Sequence, residues 1–178
     1  MDSPFAPSHD DLLDREQIRE CIYRYARAID RCDEELLRST YWPDARANQL
    51  DFSGTREEFV AWAMPALLSM ESSMHIVGNI LIATDGARAS SETYFQGLHA
   101  VSVEGATREI VMGGRYLDRH ERRDGAWRIL ERTVIVDWFR DYPDASNWAA
   151  GPFGMRAVRG ERKPADRSYE VLGGVRRG

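Results

Sequence analysis

Four residues of this sequence are candidates for moving or stabilising charge. His75 stands between Met74 and Ile76, at the start of an otherwise apolar stretch. A histidine there is either a satisfied core residue or a base facing a cavity, and imidazole as a class suits general-base work near neutral pH. Asp30 follows Ile29 at the end of a helical apolar stripe and leads into Arg31 and Cys32. It is either a polar helix terminus or an orienting partner for an imidazole. An acid in a last helical turn opposes the macrodipole, which favours a use other than helix stability. A carboxylate bonded to one ring nitrogen would fix the tautomer and stabilise the imidazolium. Tyr25 lies five residues before Asp30, about 140° away around a helix. The two do not share a face, but a long aromatic side chain can reach a cavity mouth at the helix end. Arg132 falls on one face of an apolar strand with Leu130, Val134, Val136 and Trp138. A guanidinium among such neighbours needs a ligand or a carboxylate, such as one from a helix. Asp137 alternates to the other face and reads as structural.

Other chemistries have no visible support. The chain has no GxGxxG after a strand, no Walker loop, no HExxH and no GxSxG. Its two cysteines and four histidines lack zinc-ligand spacing. The expectation is catalysis by ordinary side chains, without metal or cofactor. Aromatic residues are numerous enough to line a pocket as well as fill a core. Trp42, Phe59, Trp62, Met64, Tyr94 and Trp138 are the candidate cavity residues.

A length of 178 residues suits one domain, and 43% apolar content supplies one sizeable core. The net charge of −5 argues against a nucleic-acid partner. A basic C-terminal stretch, from Arg156 to Arg177, has only Tyr169 as an interleaved aromatic and reads as a flexible or partner-packing tail. Cys21 and Cys32 are eleven residues apart on or just past one helix, beyond disulfide reach. No apolar leader or membrane-length apolar run is present, so a reduced, cytoplasmic setting without membrane contact is expected.

The elements that must position these residues follow from periodicity. Residues 1–11 read as a disordered lead. From Leu12, Ile18, Cys21, Ile22, Tyr25 and Ile29 recur at helical spacing. A short helix is expected over Glu34–Thr40, a strand over Ala45–Leu50 and a turn over Asp51–Gly54. Thr55 with Glu58 forms a capping-box signature. The helix it opens carries Phe59, Val60, Trp62, Ala63, Leu67 and Leu68 to about Ser69, with a kink or early stop at Pro65. Strands follow over Met74–Ala83, Ala87–Val103, Arg108–Arg122 and Ala126–Phe139, with turns at Asp85-Gly86 and Asp124-Gly125. Helices followed by long hairpin-linked strands make an α+β arrangement, with helices in the concavity of a curved antiparallel sheet and a ligand cavity between them. One sheet face, with Val101, Val111 and Val134, is expected to stay apolar and drive a symmetric homodimer or homotrimer. Residues 12–142 would form the domain, and 143–178 an extension over the cavity or a neighbouring subunit.

Four segments carry a family resemblance. Tyr25-Ala-Arg-Ala-Ile-Asp30, Tyr41-Trp42-Pro43-Asp44-Ala45 with Ser73-Met74-His75, and Gly114 to Ile129 resemble the SnoaL-like branch of the nuclear transport factor 2-like superfamily. The resemblance spans about Asp14 to Arg140. It implies a cone-shaped sheet with a mixed edge, wrapped on N-terminal helices. It looks closest to scytalone dehydratase, bile-acid dehydratases and hexachlorocyclohexane dehydrochlorinase. These imply a His–Asp dyad at His75 and Asp30, an assisting hydroxyl at Tyr25 and a late-strand arginine at Arg132. The dehydrochlorinase's helix lysine has no match, because Tyr25 holds that place, and His99 aligns loosely with the second histidine of the scytalone type. The expected function is a cofactor-free lyase eliminating water from a hydrophobic, hydroxylated ring compound. Alternatives are loss of formaldehyde from lignin-derived diaryl compounds, loss of hydrogen chloride, isomerisation or cyclisation, and a non-catalytic module like an oxygenase small subunit.

Overall fold

The first helix, α1 (His9–Arg31), starts at its own N-cap. The Ser8 hydroxyl accepts from the Asp11 amide, and Asp10 and Asp11 in the first turn complement the dipole. The helix therefore begins three residues before the expected Leu12. This computed structural model describes residues 8–144, 146 and 159–173; residues 1–7 of the expected lead and much of the expected extension lie outside them. A left-handed Cys32 ends α1, its amide bonding back to Ala28 and Ile29.

The short helix α2 (Glu34–Thr40) follows, then β1 (Tyr41–Gln49), β2 (Phe52–Thr55) and α3 (Arg56–Ser69). Four long strands complete the sheet: β3 (Ser72–Asp85), β4 (Arg88–Val103), β5 (Ala106–Arg123) and β6 (Ala126–Pro143). A short α4 (Ser168–Gly173) lies in the C-terminal stretch. The capping box at Thr55 and Glu58 is present. The helix runs through Pro65 to Ser69 rather than breaking. Pro65 is on the exposed side, while Phe59, Val60, Ala63, Met64 and Leu67 stay buried on both sides of it, so packing offsets the lost backbone bond. Leu68, expected in that stripe, is exposed. The turn expected over Asp51–Gly54 shrinks, because Phe52–Thr55 pairs with Arg46–Gln49.

The sheet order is β2-β1-β6-β5-β4-β3. Every pairing is antiparallel except β1 with β6, which is parallel. The architecture is thus α+β, a curved, unclosed six-stranded sheet with helices in its concavity. The β5–β6 register shifts at Gly113/Gly114 and at Arg119/His120, the kind of irregularity that bends a strand. A Cβ on Gly114 would fall 2.0 Å from the Ile135 carbonyl oxygen, so only glycine permits that approach.

Helices and concave face meet in a core that includes Tyr25, Leu37, Tyr41, Phe59, Tyr116 and Ile129. A smaller cluster of Ile18, Ile22, Ile82, Ala89 and Trp127 packs the other end of α1. Val101 and Val134, expected on an exposed face, line the interior cavity instead. Exposed apolar side chains include Met74, Ile76, Leu81 and Phe139.

Candidate active site

Three elements converge on His75. The end of α1 supplies Asp30, β3 supplies Ser73 and His75, and β4 lies alongside with Gly97 paired to His75. Asp30 Oδ1 is 2.7 Å from His75 Nδ1. The Ser73 hydroxyl donates to the same oxygen at 3.1 Å, and the His75 amide donates to Oδ2 at 2.8 Å. Burial pushes the Asp30 carboxyl up, but these bonds and the facing imidazole outweigh it and hold the group below its ordinary value. An ionised Asp30 accepts the Nδ1 proton, which leaves Nε2 as the free lone pair.

His75 opens onto a cavity of about 240 Å3. Asp30 sits behind the ring and off the cavity wall. His99 lines the same cavity, its ring centroid 5.2 Å from that of His75. A Cβ on Gly97 would lie 2.9 Å from His99 Nε2 and 3.4 Å from His75 Nε2. Any larger residue would therefore crowd both ring nitrogens. His99 Nδ1 is buried without a hydrogen-bond partner among the described residues. Burial, followed by the neighbouring His75, depresses the His99 imidazole to about 4. His99 is therefore neutral at pH 7.

Tyr25 also lines the cavity, with its hydroxyl 3.0 Å from Gln49 Oε1. Gln49 Nε2 in turn donates to the Tyr41 hydroxyl at 3.3 Å. Burial raises the Tyr25 hydroxyl, and the adjacent Arg132 partly opposes that rise. Arg132 lies beneath the cavity floor, stacked 3.9 Å from the Tyr25 ring centroid and 4.2 Å from that of Tyr116. Its Nε and Nη2 donate to Asp118 at 2.7 and 2.6 Å, and both side chains are fully buried. The carboxylate partner thus comes from β5 rather than a helix. Its field outweighs the cost of burial and keeps the guanidinium charged. His120, bonded to Ser91 at 2.9 Å, borders this pair.

The cavity brings together Tyr25, His75, His99, Phe59 and Trp62 from the sequence candidates, and excludes several others. Trp42 donates its indole N–H to the Glu121 carbonyl at 2.8 Å, with Arg123 and Arg128 over its ring. Tyr94 and Trp138 are both exposed, at 42% and 38%, with Trp138 lying over Gly113. Neither they nor Trp42, Met64 and Arg132 line the cavity. Asp137 pairs with Arg115 at 2.9 Å. Gln49 and Gly97 were not singled out from the sequence. Gln49 shares the inward parity of Ala45 and Ala47 on β1, and a glycine inside a long strand marks a close approach.

Among the described residues, no group of three or more His, Cys, Asp or Glu side chains could hold a metal ion, and no helix is long and apolar enough to cross a membrane. Cys21 and Cys32 are both free thiols.

Residues 10–133 match the SnoaL-like domain model. The chain belongs to the SnoaL-like family. Solved structures agree at the level of fold. LinA matches with 22% identity and a TM-score of 0.69, covering 80% of this chain and 97% of that one. The hexachlorocyclohexane dehydrochlorinase LinA-type3 from Novosphingobium barchaimii shares 21% identity at a TM-score of 0.66, covering 80% and 98%. A scytalone dehydratase candidate from Novosphingobium aromaticivorans shares 18% at 0.66, covering 86% and 95%. None of the curated proteins compared matches the chain by sequence.

Proposed function

We propose that this SnoaL-like protein is a cofactor-independent lyase in which His75 removes a proton from carbon. The observation carrying the reading is the 2.7 Å contact between Asp30 and His75 Nδ1, on a ring that opens onto an apolar cavity. His75 Nε2 takes the proton, the C–H electron pair becomes a C=C bond, and the bond to the leaving group on the neighbouring carbon breaks. Asp30 stabilises the imidazolium as it forms. Tyr25 hydrogen-bonds the departing oxygen or halide, and His99, neutral beside it, offers a second polar contact. Water is the default leaving group: the hydroxyl departs with its bonding pair and takes the phenol proton of Tyr25, and the proton held by His75 restores the phenol through solvent after product release. The fold likeness to a dehydrochlorinase and to a scytalone dehydratase candidate supports elimination as the reaction type.

Arg132 has a different role from the one the resemblance implies. It lies off the cavity wall and is bonded to Asp118, so in this reading it acts through the Tyr25 ring and hydroxyl rather than by touching substrate.

The test is His75→Ala, assayed by turnover of a panel of hydroxylated and halogenated ring compounds. Loss of general-base catalysis lowers kcat by about 10²–10⁴-fold, with circular dichroism unchanged. Near-normal turnover in a folded variant would overturn the assignment of His75 as base.

A further inference from the structure

The cavity wall limits what the site can hold, and this inference rests on the proton-transfer reading above. An apolar cavity of about 150 Å3 accommodates one benzene ring. The volume here, about 240 Å3, scales on that basis to about ten non-hydrogen atoms. The wall is largely apolar, with Ile29, Phe59, Leu67, Phe95, Met112 and Val134 among its members. The lining residues that carry polar side-chain groups are Tyr25, Gln49, Trp62, His75, His99 and Tyr116.

Charge is the second limit. Among the described residues, none that line the cavity is Lys, Arg, Asp or Glu. Two neighbouring guanidiniums lie off the lining and are held by other groups, although Arg132 Nη1 has no hydrogen-bond partner among the described residues. Arg132 is bonded to Asp118 behind the Tyr25 and Tyr116 rings. Arg162 donates to the backbone carbonyls of Asp30, Leu67 and Met70. A carboxylate entering the cavity would lose its water, meet no Lys or Arg on the described lining, and approach Asp30 behind His75. Burial of an unpaired charge is strongly opposed.

We propose that the site takes an uncharged compound of about ten non-hydrogen atoms, either one substituted ring or two fused rings. It carries an acidified C–H for His75 and, on the neighbouring carbon, a hydroxyl or halide that departs beside Tyr25; a simple ketone of this size occupies the site as a non-eliminating analogue. Steroid and diaryl frames exceed this volume, and carboxylate conjugates meet no Lys or Arg on the described lining, so both classes are expected to bind more weakly.

The experiment is calorimetric titration of the full chain with three probes. These are 2-indanone, its anionic relative indane-2-carboxylate, and progesterone. The expected result is binding of 2-indanone, with the carboxylate and the steroid each weaker by about 100-fold or more. Ala66 lies on the exposed side of α3 and lines the cavity. Ala66→Trp is expected to weaken 2-indanone binding about tenfold or more while leaving the circular dichroism spectrum intact. Equal or tighter binding of the carboxylate or the steroid, or failure of 2-indanone to bind, overturns the proposal. Exchange of the α-protons of 2-indanone in D2O reports the base separately. If 2-indanone binds but His75→Ala exchanges it as fast as the parent chain, the ligand class stands and the base assignment falls.

Discussion

At the scale of single residues, the hydroxyl of Tyr25 depends on which end of the Gln49 amide faces it. With Oε1 towards it, the phenol proton is held by the amide, as the 3.0 Å contact has it. With the amide turned over, Nε2 donates to the phenol oxygen and the proton is free for a leaving group. The second arrangement is the one elimination needs. Gln49→Leu removes the donor and should lower kcat about tenfold, the worth of one hydrogen bond, with KM little changed. Gln49→Glu can only accept when ionised, so it should retain the phenol proton and lower kcat further. Steady-state kinetics of the two variants decide this, and a Glu variant as fast as the Leu variant would remove the donor role. The sequence revealed the pairing residues His75 and Asp30 through pattern and resemblance. It hid Gln49, because a glutamine at a strand end looks like any solvated residue until its parity with Ala45 and Ala47 is counted. Trp42, Tyr94 and Trp138 show the opposite failure. An aromatic residue announces burial but not which side of a sheet or helix it buries against, and these three pack away from the cavity.

Among the elements, the C-terminal stretch of 159–173 holds the end of α1. Arg162 donates to the Asp30 carbonyl, and its Nη2 reaches the Leu67 and Met70 carbonyls at 3.3 and 3.4 Å. The Lys163 amide donates to the Arg31 carbonyl, its ammonium pairs with Asp33 at 2.8 Å, and Arg31 pairs with Asp166 at 3.0 Å. Helix ends leave their last carbonyls without internal partners, and a cation there also meets the negative end of the dipole. The cationic segment thus satisfies the turn that carries Asp30. Arg162→Ala should cost about 2 kcal/mol of stability, read from urea midpoints, since hydrogen bonds to a charged donor are the stronger kind. Arg162→Lys should recover only part, because an ammonium does not reproduce the planar fork. An unchanged midpoint in the Ala variant would show the segment to be an ornament of the helix end. This contact could not be read from sequence, where a basic run looks like a solvated tail. The strands were legible for a converse reason: alternation and the Asp124-Gly125 turn are local signals, so β3 to β6 follow the expected spans closely. The start of β1 at Tyr41 depends on its distant partner β6, and local pattern missed it; the pattern also missed the short hairpin of Phe52–Thr55 with Arg46–Gln49, whose strands are too brief to show alternation.

For the molecule as a whole, the buried imidazoles set its response to acid. His120 is buried beside Ser91, Asp118 and Arg132, with Nδ1 lacking a protein partner. Burial depresses it to about 4, with Arg132 adding to the effect and Asp118 opposing it. His99, facing His75, Asp30 and Arg162, is likewise depressed to about 4. In the unfolded chain both titrate near ~6.5. Between those values the unfolded state binds more protons than the native one, so stability is lost as pH falls from about 6.5 towards 4. Each group spans roughly 2.5 pH units, or about 3 kcal/mol, and two together are comparable with the whole stability of a typical domain. The lowered carboxyls, Asp30 and Asp33, act in a separate window. Their contribution is present above the unfolded value near ~3.9 and disappears below it. Acid unfolding should therefore begin well above the carboxylate range. Urea midpoints measured from pH 7 to pH 4.5 should fall steadily in the parent chain. His120→Asn, which keeps a polar contact for Ser91 but cannot take up a proton, should flatten that slope by about half. A parent chain whose midpoint stays level across this range would mean that neither imidazole is held neutral by the fold. An Asn variant as acid-sensitive as the parent would place the effect outside the layer formed by His120, Asp118 and Arg132.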